Sequence, residues 1–140
     1  MDSQFDEVAT EGELEQAFAR SERAPVLLYL HDPYCGRSAV AHSEVSKLGM
    51  RIAWINVHAR HDLGMEVERL TGVRHESPQA LILRHRQARW SASHRNVTAS
   101  AILAALDAAE EPVATSSAGP RRRWSALRDA FAGLGRSSES

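Results

Sequence analysis

The stretch 25–38, Pro-Val-Leu-Leu-Tyr-Leu-His-Asp-Pro-Tyr-Cys-Gly-Arg-Ser, decides the fold of this chain. Its first six residues form an apolar run that predicts a buried strand, and the residues from Arg37 to Leu48 predict a helix. Cys35 falls between the two, just after a turn that contains proline. Because a helix start offers unpaired N–H groups and a positive dipole, it favours thiolate over thiol. The layout predicts a reactive Cys35 rather than an inert, buried thiol.

The missing second thiol narrows the chemistry further. Cys35 is the single cysteine among the 140 residues, and Ser38 stands three positions later, so the motif is C-x-x-S. No disulfide can form within the chain, which excludes a dithiol cycle. What remains is monothiol exchange, in which the thiolate attacks a disulfide and a second, small thiol resolves the product. A lone cysteine fits a reducing compartment, so we expect a cytoplasmic location.

Composition excludes several other classes of protein. The formal net charge is −1, which argues against nucleic-acid binding by bulk electrostatics. No apolar run approaches the roughly 18 residues of a membrane span. The acidic N-terminus lacks the apolar core of a signal peptide.

Periodicity predicts the element order α-β-α-β-α-β-β-α. Thr10 caps the first helix and Thr98 caps the last. The other predicted elements are strand 25–30, helix 37–48, strand 51–57, helix 61–71, strand 77–83 and strand 88–93, of which the last two form a hairpin with its turn near 86–87. We therefore predict a thioredoxin-like α/β fold, with a central mixed four-stranded sheet and helices on both faces.

Apolar positions along these elements define the expected core. The residues that helical spacing turns inward are Leu14, Ala17, Phe18, Val40, Val45, Leu48, Leu63, Val67, Leu70, Ile102, Leu103 and Leu106. Trp54, Ile55 and Trp90 are predicted to be core residues rather than ligand contacts.

Pro78 opens the third predicted strand, a position where proline is tolerated. In combination with the upstream strand–cysteine–helix layout, we predict a cis Ser77–Pro78 bond. The N–H and C=O groups of Ser77 are then expected to pair with an extended peptide or a small thiol ligand.

Three segments resemble the monothiol bacilliredoxins of the thioredoxin-like superfamily. They are the strand and motif from Pro25 to Ala39, the block Val-Arg-His-Glu-Ser-Pro-Gln at 73–79, and Trp-Ser-Ala-Ser-His at 90–94. The resemblance spans about 80 residues, from Pro25 to Leu106. It implies a thioredoxin fold, a nucleophilic Cys35, a cis Pro78, and removal of bacillithiol from protein mixed disulfides. Gly36 stands where the family is expected to have proline.

Each candidate site residue has a functional role and a plainer alternative. Cys35, Arg37 and Ser38 form the expected catalytic group. Arg37 either lowers the cysteine pKa and holds a substrate carboxylate, or is a solvated surface residue. Ser38 either donates to the thiolate or serves as a capping hydroxyl.

The expected substrate-binding residues flank the thiol and the proline. They are Tyr34, Gly36, His75, Glu76, Ser77 and Pro78. His75 is either a proton shuttle or, with Glu76, part of a surface loop pair. The His58-x-x-His61 pair is an incomplete ligand set, and no metal site is predicted. No tightly bound cofactor is expected, and bacillithiol or another small thiol is the predicted co-substrate.

The chain divides into a predicted domain at 1–110, a flexible linker at 111–120 and an amphipathic tail at 121–140. Tail residues Trp124, Leu127, Phe131 and Leu134 recur at helical spacing after three arginines. The segment 121–135 is expected to dock on its own domain, a second copy or a protein partner, in preference to an anionic membrane surface.

Two other functions compete with exchange on S-thiolated proteins. Cys-Gly-Arg-Ser partly echoes the Cys-Gly-Phe-Ser motif of monothiol glutaredoxins, which suggests an iron–sulfur carrier. Alternatively, the domain is a thioredoxin-like binding module whose tail is the working part.

Overall fold

A five-stranded mixed sheet organises the part of the chain that the computed structural model describes, residues 4–110. The elements in chain order are β1 (Phe5–Glu7), α1 (Glu11–Arg20), β2 (Val26–His31), α2 (Gly36–Ser46), β3 (Ile52–Asn56), α3 (His61–Thr71), β4 (Gln79–Arg84), β5 (Gln87–Ser93), a 3₁₀ turn (His94–Asn96) and α4 (Ala99–Glu110). The strand order is β1-β3-β2-β4-β5. β1, β3 and β2 run parallel, whereas β4 and β5 are antiparallel to their neighbours.

Helices cover both faces of the sheet, as predicted. Alternate residues of the central strands enter two separate cores, because successive side chains of a strand point to opposite faces. One core packs Tyr29 and Ile82 against α2 and α4, and we call it the α2/α4 core. The other packs Leu28 and Leu81 against α1 and α3, and we call it the α1/α3 core.

The helix ends follow local sequence signals. The Thr10 hydroxyl accepts from the Glu13 N–H at 3.1 Å, which confirms the predicted cap of α1. Thr98 accepts from the Ala101 N–H at 3.2 Å in the same way at the start of α4. Gly72 ends α3 with φ of 77°, a left-handed conformation that glycine adopts without steric cost.

The predicted four-stranded sheet is wrong by one strand. The additional strand is β1, which pairs with β3 at the sheet edge. The three residues of β1, two of them acidic, are too few to show a hydrophobic period. Phe5 is the buried residue of this strand, and its burial is evident only in the folded chain. The hairpin is confirmed, although its turn lies one residue earlier than predicted, at His85 and Arg86.

Three of the predicted core positions are instead exposed: Val40, Leu70 and Leu103. Each belongs to a correctly predicted helix, but the buried stripe of that helix is narrower than its apolar stripe. On α2 the buried residues are Ser38, Ala41 and Val45. Trp54 and Ile55 are buried and Trp90 packs against the α2/α4 core, as predicted.

The Ser77–Pro78 peptide bond is cis, as predicted. The predicted linker at 111–120 and tail at 121–140 lie outside the described residues.

Candidate functional site

A tight turn carries the chain from β2 to Cys35. The Cys35 N–H donates to the Asp32 carbonyl at 3.1 Å, and the Tyr34 N–H donates to the Asp32 carboxylate at 2.9 Å. Pro33 lies between them, at the position of a turn that favours its fixed φ. The turn places the thiol at the carboxyl end of β2, directly before α2.

Cys35 is the N-cap residue of α2, with extended backbone angles and a partly exposed side chain. Its thiol makes no capping hydrogen bond of full geometry. The backbone N–H groups of Ser38 and Arg37, at the start of the helix, lower the pKa of the Cys35 thiol, and the Arg37 charge adds to this effect. Partial burial and the Asp32 carboxylate oppose this shift. The net effect favours thiolate, the nucleophilic form.

Ser38 is fully buried and joins three parts of the site. Its hydroxyl accepts from the Asp32 N–H at 3.2 Å, and its carbonyl accepts from the Tyr29 hydroxyl at 3.1 Å. Its backbone N–H donates to the Cys35 carbonyl at 3.0 Å and also lowers the pKa of the Cys35 thiol. The serine side chain therefore closes the turn before α2, while the serine backbone lowers the pKa of the Cys35 thiol.

A buried aromatic group lies behind this helix start. The Tyr29 hydroxyl is 2.9 Å from Nδ1 of His31, and because its single proton goes to Ser38, it accepts from an Nδ1–H of that ring. Burial, together with the neighbouring His42, lowers the pKa of His31 to about 4, so the ring is neutral at pH 7. Burial also raises the pKa of Tyr29 above its usual value.

Tyr34 stands at the mouth of the site with 79% of its surface exposed. Its ring contacts the ring of His58, with centroids 4.5 Å apart. His58 Nδ1 in turn lies 3.9 Å from the Asp32 carboxylate. Because of these contacts, the Tyr34 ring lies against His58, which follows β3, and the Cys35 thiol beside it stays partly exposed.

The loop before β4 reaches the same edge of the sheet. Antiparallel pairing sets Leu30 opposite Gln79, so Ser77 and Pro78 fall next to the carboxyl end of β2, where the turn to Cys35 begins. Gln79 is buried, and its side chain binds back to this loop. Pro78 accepts from the His94 N–H at 2.9 Å, which ties the loop to the end of β5.

His75 turns away from the loop surface and lies on α3. A Cβ atom at Gly64 would come within 2.6 Å of its ring, which shows how closely the ring covers the helix backbone. The ring also meets His61 edge-on, with centroids 5.3 Å apart. Its Nδ1 atom is buried without a hydrogen-bond partner among residues 4–110. Burial lowers the pKa of His75 below its ordinary value.

The other predicted residues divide by position. Tyr34, Gly36, Arg37 and Ser38 cluster around Cys35, and Ser77 with Pro78 lies at the adjoining edge. Glu76 is half-buried, with its carboxylate 3.9 Å from His94 Nδ1. His75 is the member that packs on a helix instead of joining the group.

The structure adds five residues that were not predicted as parts of this site: Tyr29, His31, Asp32, His58 and Gln79. The sequence held a signal for Tyr29 and His31, because they are the two polar side chains in an otherwise aliphatic buried strand. The contacts of Asp32 and His58 depend on loops whose path only the folded chain reveals.

Among residues 4–110, no three His, Cys, Asp or Glu side chains are arranged to hold a metal ion. None of the helices in that range is both long and apolar enough to cross a bilayer.

The comparison with protein families is specific. The sequence profile of the family described as monothiol bacilliredoxin BrxC matches residues 6–102, which include the whole candidate site. No curated protein matches the chain.

Solved structures agree on the fold. A protein named as a candidate oxidoreductase with a thioredoxin fold superposes with a TM-score of 0.67 at 24% identity, covering 72% of this chain and 92% of its own. A mutant thioredoxin from Halobacterium salinarum gives 0.61 at 18% identity, covering 79% and 94%. Thioredoxin f from spinach chloroplast gives 0.60 at 18% identity, covering 79% and 100%. The predicted thioredoxin-like fold is confirmed.

Proposed function

This chain belongs to the monothiol bacilliredoxin family, and we propose that it removes a small thiol, bacillithiol, from protein mixed disulfides through Cys35. Thiol redox chemistry follows from the family. The identity of the small thiol, the monothiol route and the protein substrates are parts of the proposal. One observation carries it: a partly exposed thiol with a lowered pKa starts α2, and a buried serine occupies the place of a second thiol.

The reaction is an exchange of one S–S bond for another. The Cys35 thiolate attacks the bacillithiol sulfur of the mixed disulfide, and the protein thiolate leaves and takes up a proton. The product is a Cys35–bacillithiol disulfide. A second bacillithiol, as thiolate, attacks the bacillithiol sulfur of this adduct, which releases oxidised bacillithiol and restores the Cys35 thiolate.

Neighbouring groups support each part of this exchange. The N–H groups at the start of α2 stabilise the attacking and returning thiolate. Arg37 is exposed beside the sulfur and offers a planar donor set for a carboxylate of the small thiol. Tyr34 and Ser77 flank the position where the protein part of the substrate would lie. A thiolate that must return to its reduced form fits a reducing compartment, so a cytoplasmic location belongs to the same proposal.

The test uses a peptide whose single cysteine is in mixed disulfide with bacillithiol. We expect the protein to gain the mass of one bacillithiol at Cys35 as the free peptide appears, and to lose it when bacillithiol is added. Cys35→Ser serves as the control and should gain no mass. The same peptide carrying glutathione tests the choice of small thiol, and an equal rate would contradict the bacillithiol assignment. Absence of any adduct would contradict the proposal as a whole.

A further inference from the structure

One buried amide interrupts the apolar layer between the sheet and α3. Gln79 begins β4 with only 2% of its surface exposed. Leu81 and Leu83, which follow it on the same face of the strand, belong to the α1/α3 core. Burial of an amide is unfavourable unless its polar atoms are paired, so the partners of this side chain identify its purpose.

Both ends of the Gln79 amide bind the loop that precedes the strand. Its Nε2 donates to the Arg74 carbonyl at 2.8 Å, and its Oε1 accepts from the Glu76 N–H at 3.3 Å. The side chain thus bridges two backbone groups that lie on either side of His75. The side-chain amide therefore holds the loop in its path, while the backbone of Gln79 pairs within the sheet.

Side chains hold this loop from its other flank as well. The His75 N–H donates to the Glu68 carboxylate of α3 at 2.8 Å. Three consecutive residues before Ser77 are therefore fixed by side-chain partners rather than by backbone pairing. The course of the loop depends on these few bonds.

The loop matters because of what it carries to the edge of the sheet. Ser77 follows the bridged residues directly, and the Leu30–Gln79 pairing sets it beside the end of β2. Among residues 4–110, no hydrogen bond uses the backbone N–H or C=O of Ser77. These two groups are available to an extended ligand, and their direction follows that of the bridged loop.

We propose that Gln79 is a positioning residue, which sets the loop so that the Ser77 backbone receives the peptide part of a mixed disulfide in front of Cys35. This inference rests on the proposed exchange function. Gln79 acts on binding of the peptide and leaves the thiol itself unchanged, because its side chain hydrogen-bonds to the backbone of Arg74 and Glu76 in the loop.

The variant Gln79→Met keeps the length of the side chain and removes both bridging bonds. Gln79→Asn keeps an amide that is one methylene too short to reach both partners, and it serves if the first variant fails to fold. Gln87→Met is the matched control, because Gln87 is an exposed glutamine of the neighbouring strand β5. Thermal unfolding verifies that each variant is folded.

Three reaction rates of Cys35 separate positioning from general damage. They are the rate with iodoacetamide, the rate with the small disulfide 5,5′-dithiobis(2-nitrobenzoate), and the rate with the peptide–bacillithiol disulfide. For Gln79→Met and Gln79→Asn we expect the peptide rate to fall about tenfold, and the other two to stay within about twofold of the wild-type rates. Gln87→Met should match the wild type in all three.

Two results would overturn the inference while the proposed function stands. The first is an unchanged peptide rate in a folded Gln79 variant. The second is an equal fall in all three rates, which would mean that the substitution damages the site as a whole. If the wild-type protein itself does not react with the peptide disulfide, the proposed function fails, and the role of Gln79 fails with it.

Discussion

At the scale of single residues, the lowered pKa of Cys35 depends on backbone groups more than on side chains. The largest contributions that lower its pKa come from the N–H groups of Ser38 and Arg37, and the charge of Arg37 is smaller. The Ser38 hydroxyl is engaged with Asp32. This geometry favours the structural alternative for the serine side chain, whose hydroxyl closes the turn.

The substitution Ser38→Ala tests whether the serine hydroxyl closes the turn or lowers the pKa of Cys35. It leaves the Asp32 N–H without its acceptor but keeps every backbone N–H of α2. We expect the free energy of unfolding to fall by about 1–2 kcal/mol, because a partly buried donor loses its partner. The pKa of Cys35, measured from the pH dependence of its alkylation, should stay below the ordinary value.

The control for this substitution is Ser43→Ala, at an exposed position of the same helix. It should change the free energy of unfolding by no more than about 0.5 kcal/mol. A return of the Cys35 pKa to its ordinary value in Ser38→Ala would instead assign thiolate stabilisation to the serine hydroxyl.

At the scale of elements, α3 contains a glycine because a histidine ring lies on it. Gly64 is buried, and an added Cβ would meet Cε1 of His75 at 2.6 Å and Nδ1 at 2.9 Å. Alanine in a helix interior is otherwise more favourable than glycine by about 1 kcal/mol. The packing of His75 on α3 therefore requires glycine at a position where helix propensity favours alanine.

Gly64→Ala should therefore give no gain in the free energy of unfolding, or a loss, because the His75 ring must move. In a His75→Ala background the same substitution should raise the free energy of unfolding by about 1 kcal/mol. Chemical denaturation of the four proteins of this cycle measures the coupling.

Gly12→Ala in α1 is the matched control, since its nearest neighbour is Thr10 Oγ1 at 3.9 Å. It should raise the free energy of unfolding by up to about 1 kcal/mol. An equal gain from Gly64→Ala with and without His75 would show that the ring does not restrict the helix.

The elements also show where sequence periodicity is informative and where it fails. The bounds of α3 agree with the prediction, because its apolar spacing is regular and Gly72 ends it. Val40, Leu70 and Leu103 were misplaced, since periodicity identifies an apolar stripe but gives no measure of how much of it the sheet covers. The short strand β1 depends on pairing with β3, whose partner residues lie 47 positions further along the chain, and no local pattern encodes that pairing.

At the scale of the whole molecule, most of the fold was predictable because the strand–cysteine–helix unit and the hairpin both carry local signals. The sequence also indicated the residues around Cys35, which are neighbours in the chain. The hydrogen bonds behind them were not predictable. The Tyr29 hydroxyl meets the Ser38 carbonyl only when α2 packs on β2, and Gln79 meets Arg74 and Glu76 only when the preceding loop folds back over it. The role of Gln79 requires the loop path, which depends on α3 and β4 together.

The proposed exchange requires that the fold lower the pKa of Cys35 below that of an isolated cysteine. The most direct measurement is the rate of Cys35 alkylation by iodoacetamide as a function of pH in the native protein. Because a lowered pKa increases the thiolate fraction at lower pH, we expect the rate to reach its half-maximum below the ordinary thiol pKa of about 8.5. A half-maximum at or above that value would contradict the assignment of Cys35 as the nucleophile.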